Sequence, residues 1–302
     1  LLVEKIGRNT LDVLNDVARA AGARPRDVGY CGLKDRHAVT RQWLSIPLDR
    51  ARERDALVPG LSGDGWRVTE VTRNQRKLRL GAHRYNRFVI TLRELEGDVA
   101  PLAERIERAR TRGVPNYFGA QRFGHDGDNL RRARRWFVDG VDLGRRQRRF
   151  ALSAARSWVF NRVLADRVAD GSWDTPMDGE PLCLAGSRSF FLPEAWDDTL
   201  EARFAAHDVH TSGPLVGRGD SPAVGDCAAF EASASAELGW VVAGLAAEGL
   251  KSERRALRLS ARDLDYELGE DSLRLSFTLG RGCFATAVVR ELLEIVDDRV
   301  PA

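Results

Sequence analysis

A chain of 302 residues, 43% hydrophobic and 30% charged, has the make-up of a globular protein with room for one large domain or two ordinary ones. No apolar run approaches the ~18 residues that a membrane span needs, and no signal-peptide core is present, so a soluble, cytoplasmic protein is expected. Cys31, Cys183, Cys227 and Cys283 are widely separated and form no C-x-x-C pair, which argues against a disulfide framework or a zinc site.

In chain order, the opening "LLVEKIG" is strand-like, and because it starts on Leu1 rather than Met the chain reads as a piece lacking its natural start. Asn9 or Thr10 caps a first helix that sets Leu11, Leu14, Val17 and Ala21 on one face and ends at Gly22. Short strands are expected near 28–31, 42–47, 66–72 and 88–94. The last alternates Phe88, Ile90 and Leu92 against Val89, Thr91 and Arg93. A second helix over about 99–112 turns Leu102, Ile106 and Ala109 inward and stops at Gly113, before Pro115. Strands this close in sequence, mixed with helices, predict an α+β fold: a largely antiparallel sheet with helices on one face.

The character changes after about Val141. A helix near 153–168 precedes a tract punctuated by Gly and Pro with few clear strands, and "ELGWVVAGLAAEGLKSERRAL" closes that tract as helix. His207 and His210, three apart with no further ligand pattern, read as surface residues. A hairpin (264–268 and 273–279) then leads into a helix at about 285–296, ending at Val296. A hairpin and one helix cannot bury an apolar face alone, so they should complete the sheet begun by residues 1–140. Residues 142–258 then read as an inserted domain between two parts of a catalytic domain, 1–141 and 259–302.

The net charge is only +3, yet it is unevenly placed. Residues 67–93 carry eight basic side chains against one acid, Glu70, and residues 122–149 carry nine arginines against four aspartates. Tyr85, Phe88, Tyr117, Phe118 and Phe123 lie in or between these stretches. Local basic excess interleaved with aromatics suits a nucleic acid, whose phosphates pair with arginine and whose exposed bases stack on rings. The two stretches are expected to line one groove together with Asp35.

Three motifs carry possible chemistry. "GYCGLKDRHAVTRQWLSIP" (29–47) reads as strand, charged turn and strand, with Asp35 the only acid beside Lys34, Arg36 and His37. Such a neighbourhood favours a carboxylate, either as part of a solvated turn or as a nucleophile or base. "VPNYFGAQRFGHDGDN" (114–129) groups Asn116, Tyr117, Phe118, Gln121, Arg122 and Phe123 after a proline. Its amides and rings suit the edge and face of a base, or else the loop plugs the core. "GRGCFA" (280–285) imitates a dinucleotide fingerprint, but no second strand or distant acid follows, so its glycines are expected to serve a sharp turn from strand into helix.

"GLKDRHAVTRQ", "PNYFGAQRFG" and "FATAVVREL" stand here in the order they have in the TruD-type tRNA pseudouridine synthases, and the chain resembles that family over essentially its whole length. The resemblance implies a pseudouridine synthase fold carrying an inserted α/β TRUD domain, and an enzyme that isomerises a uridine of tRNA, position 13 of the D arm, to pseudouridine. It implies Asp35, the Asp of G-x-K-D, as catalytic aspartate. Asn116 and Phe118 of "NYFG" are implied at the uracil, with Phe284 as a further ring on the base. Arg290 is the expected cation for Asp35, because other pseudouridine synthases place an arginine on the equivalent helix. Lys34, Gln121 and Arg122 complete the expected substrate contacts. The isomerisation needs no redox change and no external group, so no cofactor and no metal is expected. The expected partner is tRNA, with no membrane, and the protein is expected to be a monomer. The family also uses a phenylalanine upstream of the residues present here, so slow turnover is expected of this chain. Two alternatives stay open: an RNA-binding module without catalysis, indifferent to Asp35, and a metal-dependent nuclease, which needs clustered carboxylates.

Overall fold

The computed structural model describes residues 1–47 and 60–295, and the chain divides into two units, Leu1–Arg84 and Tyr85–Ala302. In the first unit the opening residues form β1 (Leu2–Ile6), followed by α1 (Thr10–Ala20), β2 (Gly29–Tyr30), β3 (Val39–Ser45), β4 (Ser62–Gly63) and β5 (Trp66–Glu70). The strands make an antiparallel sheet in the order β2-β3-β1-β5-β4, with β1 at its centre. Helix α1 buries Thr10, Val13, Leu14, Val17 and Ala18, and its apolar members pack with Leu1, Val3, Val28, Leu44 and Trp66. These positions follow the i, i+3, i+4, i+7 spacing of one helical stripe. That stripe corrects the face expected from sequence: Leu11 is 47% exposed and Ala21 only half-buried. Val13 and Ala18 take the core positions beside Leu14 and Val17, and Thr10 on the same stripe meets the main chain of Lys34.

The second unit begins with β6 (Tyr85–Arg93), α2 (Leu102–Thr111) and β7 (Val114–Pro115). Along β6 half-buried and exposed residues alternate as the sequence predicts, and α2 buries Leu102, Ile106 and Ala109. Helices α3 (Asp128–Phe137) and α4 (Arg145–Ala169) follow. Helix α4 starts well before residue 153, because its arginine-rich first turn continues the same helix as the buried run Ala151, Ala154, Ala155, Val159, Phe160, Val163 and Leu164. The next tract holds β8 (Leu182–Leu184), β9 (Phe190–Phe191), α5 (Asp198–Ala205), β10 (Val209–His210), β11 (Ser212–Leu215), α6 (Gly225–Ala234) and α7 (Gly239–Ala247). Its strands are too short for alternation to reveal them in sequence. The segment expected to close this tract as helix does not do so throughout. Gly249, at φ +71°, turns the chain after α7, and β12 (Glu253–Ala256) pairs antiparallel with β11.

The chain then forms β13 (Arg258–Leu259), β14 (Arg262–Leu268), β15 (Ser272–Gly280) and α8 (Ala285–Leu292). Strand β13 pairs with β7, and the sheet order β14-β15-β6 joins the late hairpin to the early strand, Phe277 facing Phe88. One core runs beneath this sheet, from Leu102 and Ile106 on α2 to Leu273, Leu275, Phe277 and Leu279 on β15 and Val288, Val289 and Leu292 on α8. Helix α8 ends at Leu292, and the expected end at Val296 lies outside the described residues. Gly282, at φ +81°, makes the turn between β15 and α8 that the glycines of "GRGCFA" were expected to serve.

The surface reading of the two histidines holds for neither ring fully. His210 is buried at 7% exposure beneath Arg258, whose Nε donates to its Nδ1 at 3.1 Å, and His207 is half-buried. Burial above all, and then the Arg258 charge, push the His210 pKa down to about 3. Pairing of β10 with β8 draws His210 inside, a contact that spacing along the chain does not reveal.

Candidate active site

The predicted residues fall in both units. In the first, Asp35 sits in the segment between β2 and β3. Period-2 alternation along β1 puts Lys5 on the same face as Leu1 and Val3, and all three are buried, Lys5 at 1% exposure. A buried ammonium needs acceptors. Lys5 Nζ donates to the main-chain oxygen of Asp35 at 2.6 Å. Beside it, Thr10 Oγ1 accepts from the main-chain N–H of Lys34 at 2.8 Å, and Gln42 Nε2 lies 3.4 Å from the same hydroxyl. The backbone at Lys34 and Asp35 is thus fixed from the central strand and from the first turn of α1. The side chains of Asp35, Arg36 and His37 remain exposed.

Burial lowers the pKa of Lys5 and of Lys34, and in both cases the Asp35 charge opposes that shift. Two ammonium groups therefore attract one solvent-facing carboxylate on a fixed backbone, an arrangement suited to a nucleophile or base. The other face of β1 is occupied differently. Buried Glu4 takes Arg41 at 2.7 Å and Arg67 at 2.6 Å, and hydrogen bonds from Arg41 and then Arg67 lower its pKa against the effect of burial. Arg67, the first member of a predicted RNA-binding stretch, thus has a structural partner.

In the second unit, β7 delivers Asn116, which is 4% exposed. Its Nδ2 donates to the Ala256 oxygen at 2.8 Å, and its Oδ1 accepts from Arg255 Nη2 at 2.7 Å. Two residues on, Asn161 of α4 pairs with the main chain of Phe118 like a strand neighbour. It accepts from the Phe118 N–H and donates to the Phe118 oxygen, both at 2.9 Å. The Phe118 ring so held meets Phe160 edge-on at 5.4 Å and Phe284 at 6.3 Å between centroids. Arg255 lies over Phe118 with its Cζ 4.0 Å from the ring centre, and Arg122 is 5.0 Å from Phe118 and 5.8 Å from Phe284.

The structure thus brings Phe284, from the far end of the sequence, to Phe118 and Arg122 of the 114–129 motif. Gln121 is exposed in the short turn before Arg122, and Arg290 is exposed in the last turn of α8, with no carboxylate of its own unit as partner among the described residues. Lys5, Thr10, Asn161 and Arg255 escaped the sequence reading. Lys5 alone has a clear signal, a charge in phase with the apolar residues of "LLVEKIG". Asn161 interrupts the apolar "WVFNRVL" and is a weaker one. Among the described residues no cluster of His, Cys, Asp or Glu could hold a metal ion, and no helix is long and apolar enough to cross a membrane.

Comparison with known proteins bears on this geometry. The family model for tRNA pseudouridine synthase D (TruD) matches residues 1–140 and 140–292. Proteins named tRNA pseudouridine synthase D from Nitrosococcus oceani and Methylococcus capsulatus are 45% and 46% identical, each over 97% of this chain and over 82% and 83% of their own lengths. A crystal structure from Methanosarcina mazei, described as a TruD protein, superposes with a TM-score of 0.74 over 97% of this chain and 87% of its own, at 18% identity. At that identity the likeness speaks to fold, and it matches the α+β class expected from sequence.

Proposed function

Since the chain belongs to the TruD family of tRNA pseudouridine synthases, we propose that it isomerises a uridine of tRNA, position 13 of the D arm, to pseudouridine, with Asp35 as the catalytic carboxylate. The observation that carries this reading is the clamp on the loop backbone, Lys5 Nζ on the Asp35 oxygen and Thr10 on the N–H of Lys34, which leaves the Asp35 carboxylate itself open. A solvated turn has no need of a buried lysine to hold it.

The reaction breaks the bond from uracil N1 to ribose C1′, turns the base over and joins C5 to C1′; C5 gives up its proton and N1 takes one, so the product is an isomer of the substrate. Atoms and electrons balance within the nucleotide, so no cofactor or metal is invoked. Extruding the uridine costs on the order of a few kcal/mol. Stacking on Phe118 and Phe284, worth roughly 1–3 kcal/mol per ring, offsets that cost. Lys5 and Lys34 bring positive charge to the loop that carries Asp35, and Arg290 is proposed as a further cation beside it. Asn116 is proposed to serve the base site by holding Arg255 against Phe118, while Lys34, Gln121 and Arg122 contact the RNA. Residues 142–258 are proposed as the family's insert between catalytic segments 1–141 and 259–302, a division supported by the pairing of β6 with β15. The enzyme is proposed to act as a cytoplasmic monomer.

The test is chemical labelling of pseudouridine in a tRNA transcript after incubation with wild-type protein and with Asp35→Asn. The expected result is one labelled site, uridine 13, with wild type and none with the variant, which still binds the transcript. Wild-type turnover by Asp35→Asn would end the proposal. Cleaved RNA that requires a divalent ion would indicate a nuclease, and binding without product a module that has lost catalysis.

A further inference from the structure

Successive side chains of a strand face opposite sides, and on β12 two consecutive arginines are treated in opposite ways. Arg254 turns inward to 4% exposure and meets Glu231 at 2.6 Å, with Ser212 as a further partner. Arg167, equally buried, has Glu180 at 3.2 Å. These are arginines whose charge has a carboxylate beside it. Arg255 faces Phe118 and, among the described residues, has only neutral acceptors, Asn116 Oδ1 at 2.7 Å and the Gly282 oxygen at 3.2 and 3.3 Å. Arg122 reaches the same ring from another segment, held by Ser153 Oγ at 2.8 Å. Neither forms an ion pair among the described residues, and the Nε of each is buried without an acceptor. Burial pushes Arg255 down to about 10, the Arg122 charge adds to that effect, and burial alone lowers Arg122.

Two half-buried, mutually repelling guanidinium groups on one ring are a poor solution to packing. A cation over an aromatic face is ordinarily favourable, but one suffices, and the second adds repulsion. Uracil supplies carbonyl acceptors but no charge to neutralise two cations. A phosphodiester supplies acceptor oxygens together with a negative charge, shared by two non-bridging oxygens that a planar guanidinium fork can take in pairs. We propose that Arg122 and Arg255 form a binding site for one phosphodiester of the substrate RNA strand, beside the Phe118–Phe284 pair. The inference rests on the reading of that pair as the place of an extruded RNA base. Asn116, Ser153 and Gly282 then hold the two guanidinium groups in position before RNA arrives.

The experiment is filter binding of a tRNA transcript over a salt series, with wild type, Arg122→Gln, Arg255→Gln and Arg122→Lys. A parallel set of transcripts carries a single neutral methylphosphonate at each phosphate flanking the target uridine. Each glutamine variant is expected to raise Kd about tenfold and to reduce the magnitude of the log–log salt slope by about 0.7–1, the signature of one lost phosphate contact. One methylphosphonate should cost wild type about tenfold as well, yet cost the glutamine variants less than about twofold, because the contact it removes is already gone. Salt slopes equal to wild type in both folded variants would overturn the site. So would penalties that multiply independently at every flanking phosphate. If the glutamine variants do not fold, wild type and Arg122→Lys decide through the scan: one phosphate costing about tenfold supports the site, and a flat scan refutes it. These are binding readouts, so absence of pseudouridine would sink the proposed activity without deciding the phosphate site.

Discussion

Replacing Lys5 by Met keeps a long apolar stem in the same place and removes the ammonium that holds the Asp35 loop. The lost bond, from Nζ to the Asp35 oxygen at 2.6 Å, has a charged donor. Such bonds contribute roughly 1.5–3 kcal/mol. Part of that is returned, because Lys5 is 1% exposed and its charge no longer has to be held away from water. Net stability should therefore move by less than about 2 kcal/mol, since the freed Asp35 carbonyl is on an exposed loop and can take water. Catalysis should suffer far more. A displacement of about 1 Å in a reacting group costs on the order of a hundredfold, so single-turnover pseudouridine formation is expected to fall by about that factor. The Kd for tRNA should change little. The pH dependence has a definite sign. Burial places the folded-state pKa of Lys5 below its ordinary value of 10.5, so between those two points the unfolded chain binds more protons than the native one. Wild-type stability should therefore gain, relative to Lys5→Met, as pH rises through that alkaline window, and the difference between the two denaturation profiles isolates the effect. A folded Lys5→Met protein with wild-type single-turnover rates would refute the clamp as a functional device.

Asn161→Ala removes both hydrogen bonds to the Phe118 main chain. It is expected to cost about 1–3 kcal/mol in urea unfolding and to weaken tRNA binding, whereas Asn161→Asp, which accepts but cannot donate when ionised, should fall between it and wild type. Arg290→Ala, at an exposed position, should change stability by less than about 0.5 kcal/mol. Its turnover should nevertheless drop more than its tRNA affinity, measured as single-turnover rate against Kd, and equal losses in both would remove Arg290 from the catalytic step. If the protein neutralises roughly 5–8 phosphates, a fourfold rise in salt should lower tRNA affinity about a hundredfold or more, and an affinity indifferent to salt would discount the basic stretches as an RNA footprint.

Long periodic segments were readable from sequence because their pattern repeats enough to be unambiguous. Strand β6, helix α2 and the hairpin β14–β15 form within a few residues of expectation, and the buried face of α2 is the expected one. Helix α1 formed where expected but rotated, since the residues it packs against, Leu1, Val3, Leu44 and Trp66, lie outside its own stretch of sequence. The same limit governs the site. Motifs singled out Asp35, Asn116, Phe118 and Phe284 as candidates, each on a chemically distinctive local stretch. What holds them comes from elsewhere: Lys5 is 30 residues from Asp35, Asn161 is 43 from Phe118, and Arg255 is 139 from Asn116. The last of these meetings is made by strands of two to four residues, β7 and β11–β13, too short to announce themselves. Only a polar residue in phase with an apolar stripe, as Lys5 is, betrays such a contact in one sequence.

The two arginines of β12 tie the packing of β11, β12 and α6 to the geometry of the candidate base site. Arg254 takes Glu231 through Nη1 at 2.9 Å and donates from Nη2 to the Ser212 oxygen at 2.6 Å, which locks β12 against both α6 and β11. The next residues along that locked strand are Arg255, over Phe118, and Ala256, whose oxygen takes the Asn116 amide. Glu231→Gln keeps the shape and removes the charge, leaving Arg254 as an uncompensated buried cation. Breaking one side of such a pair costs about 3–5 kcal/mol, whereas replacing both partners by apolar groups is often neutral. Glu231→Gln is therefore expected to lower the urea midpoint of the second unit strongly, read from tryptophan fluorescence, since Trp173 packs with Phe160 and Leu257 in the same core. The double variant Glu231→Leu, Arg254→Met should recover most of that loss. In urea-free buffer the single variant should also bind tRNA more weakly, because a displaced β12 carries Arg255 away from Phe118. If Glu231→Gln unfolds as wild type does, the ion pair does not lock the strand. If it is destabilised but binds tRNA with wild-type affinity, Arg255 does not depend on that lock for its place.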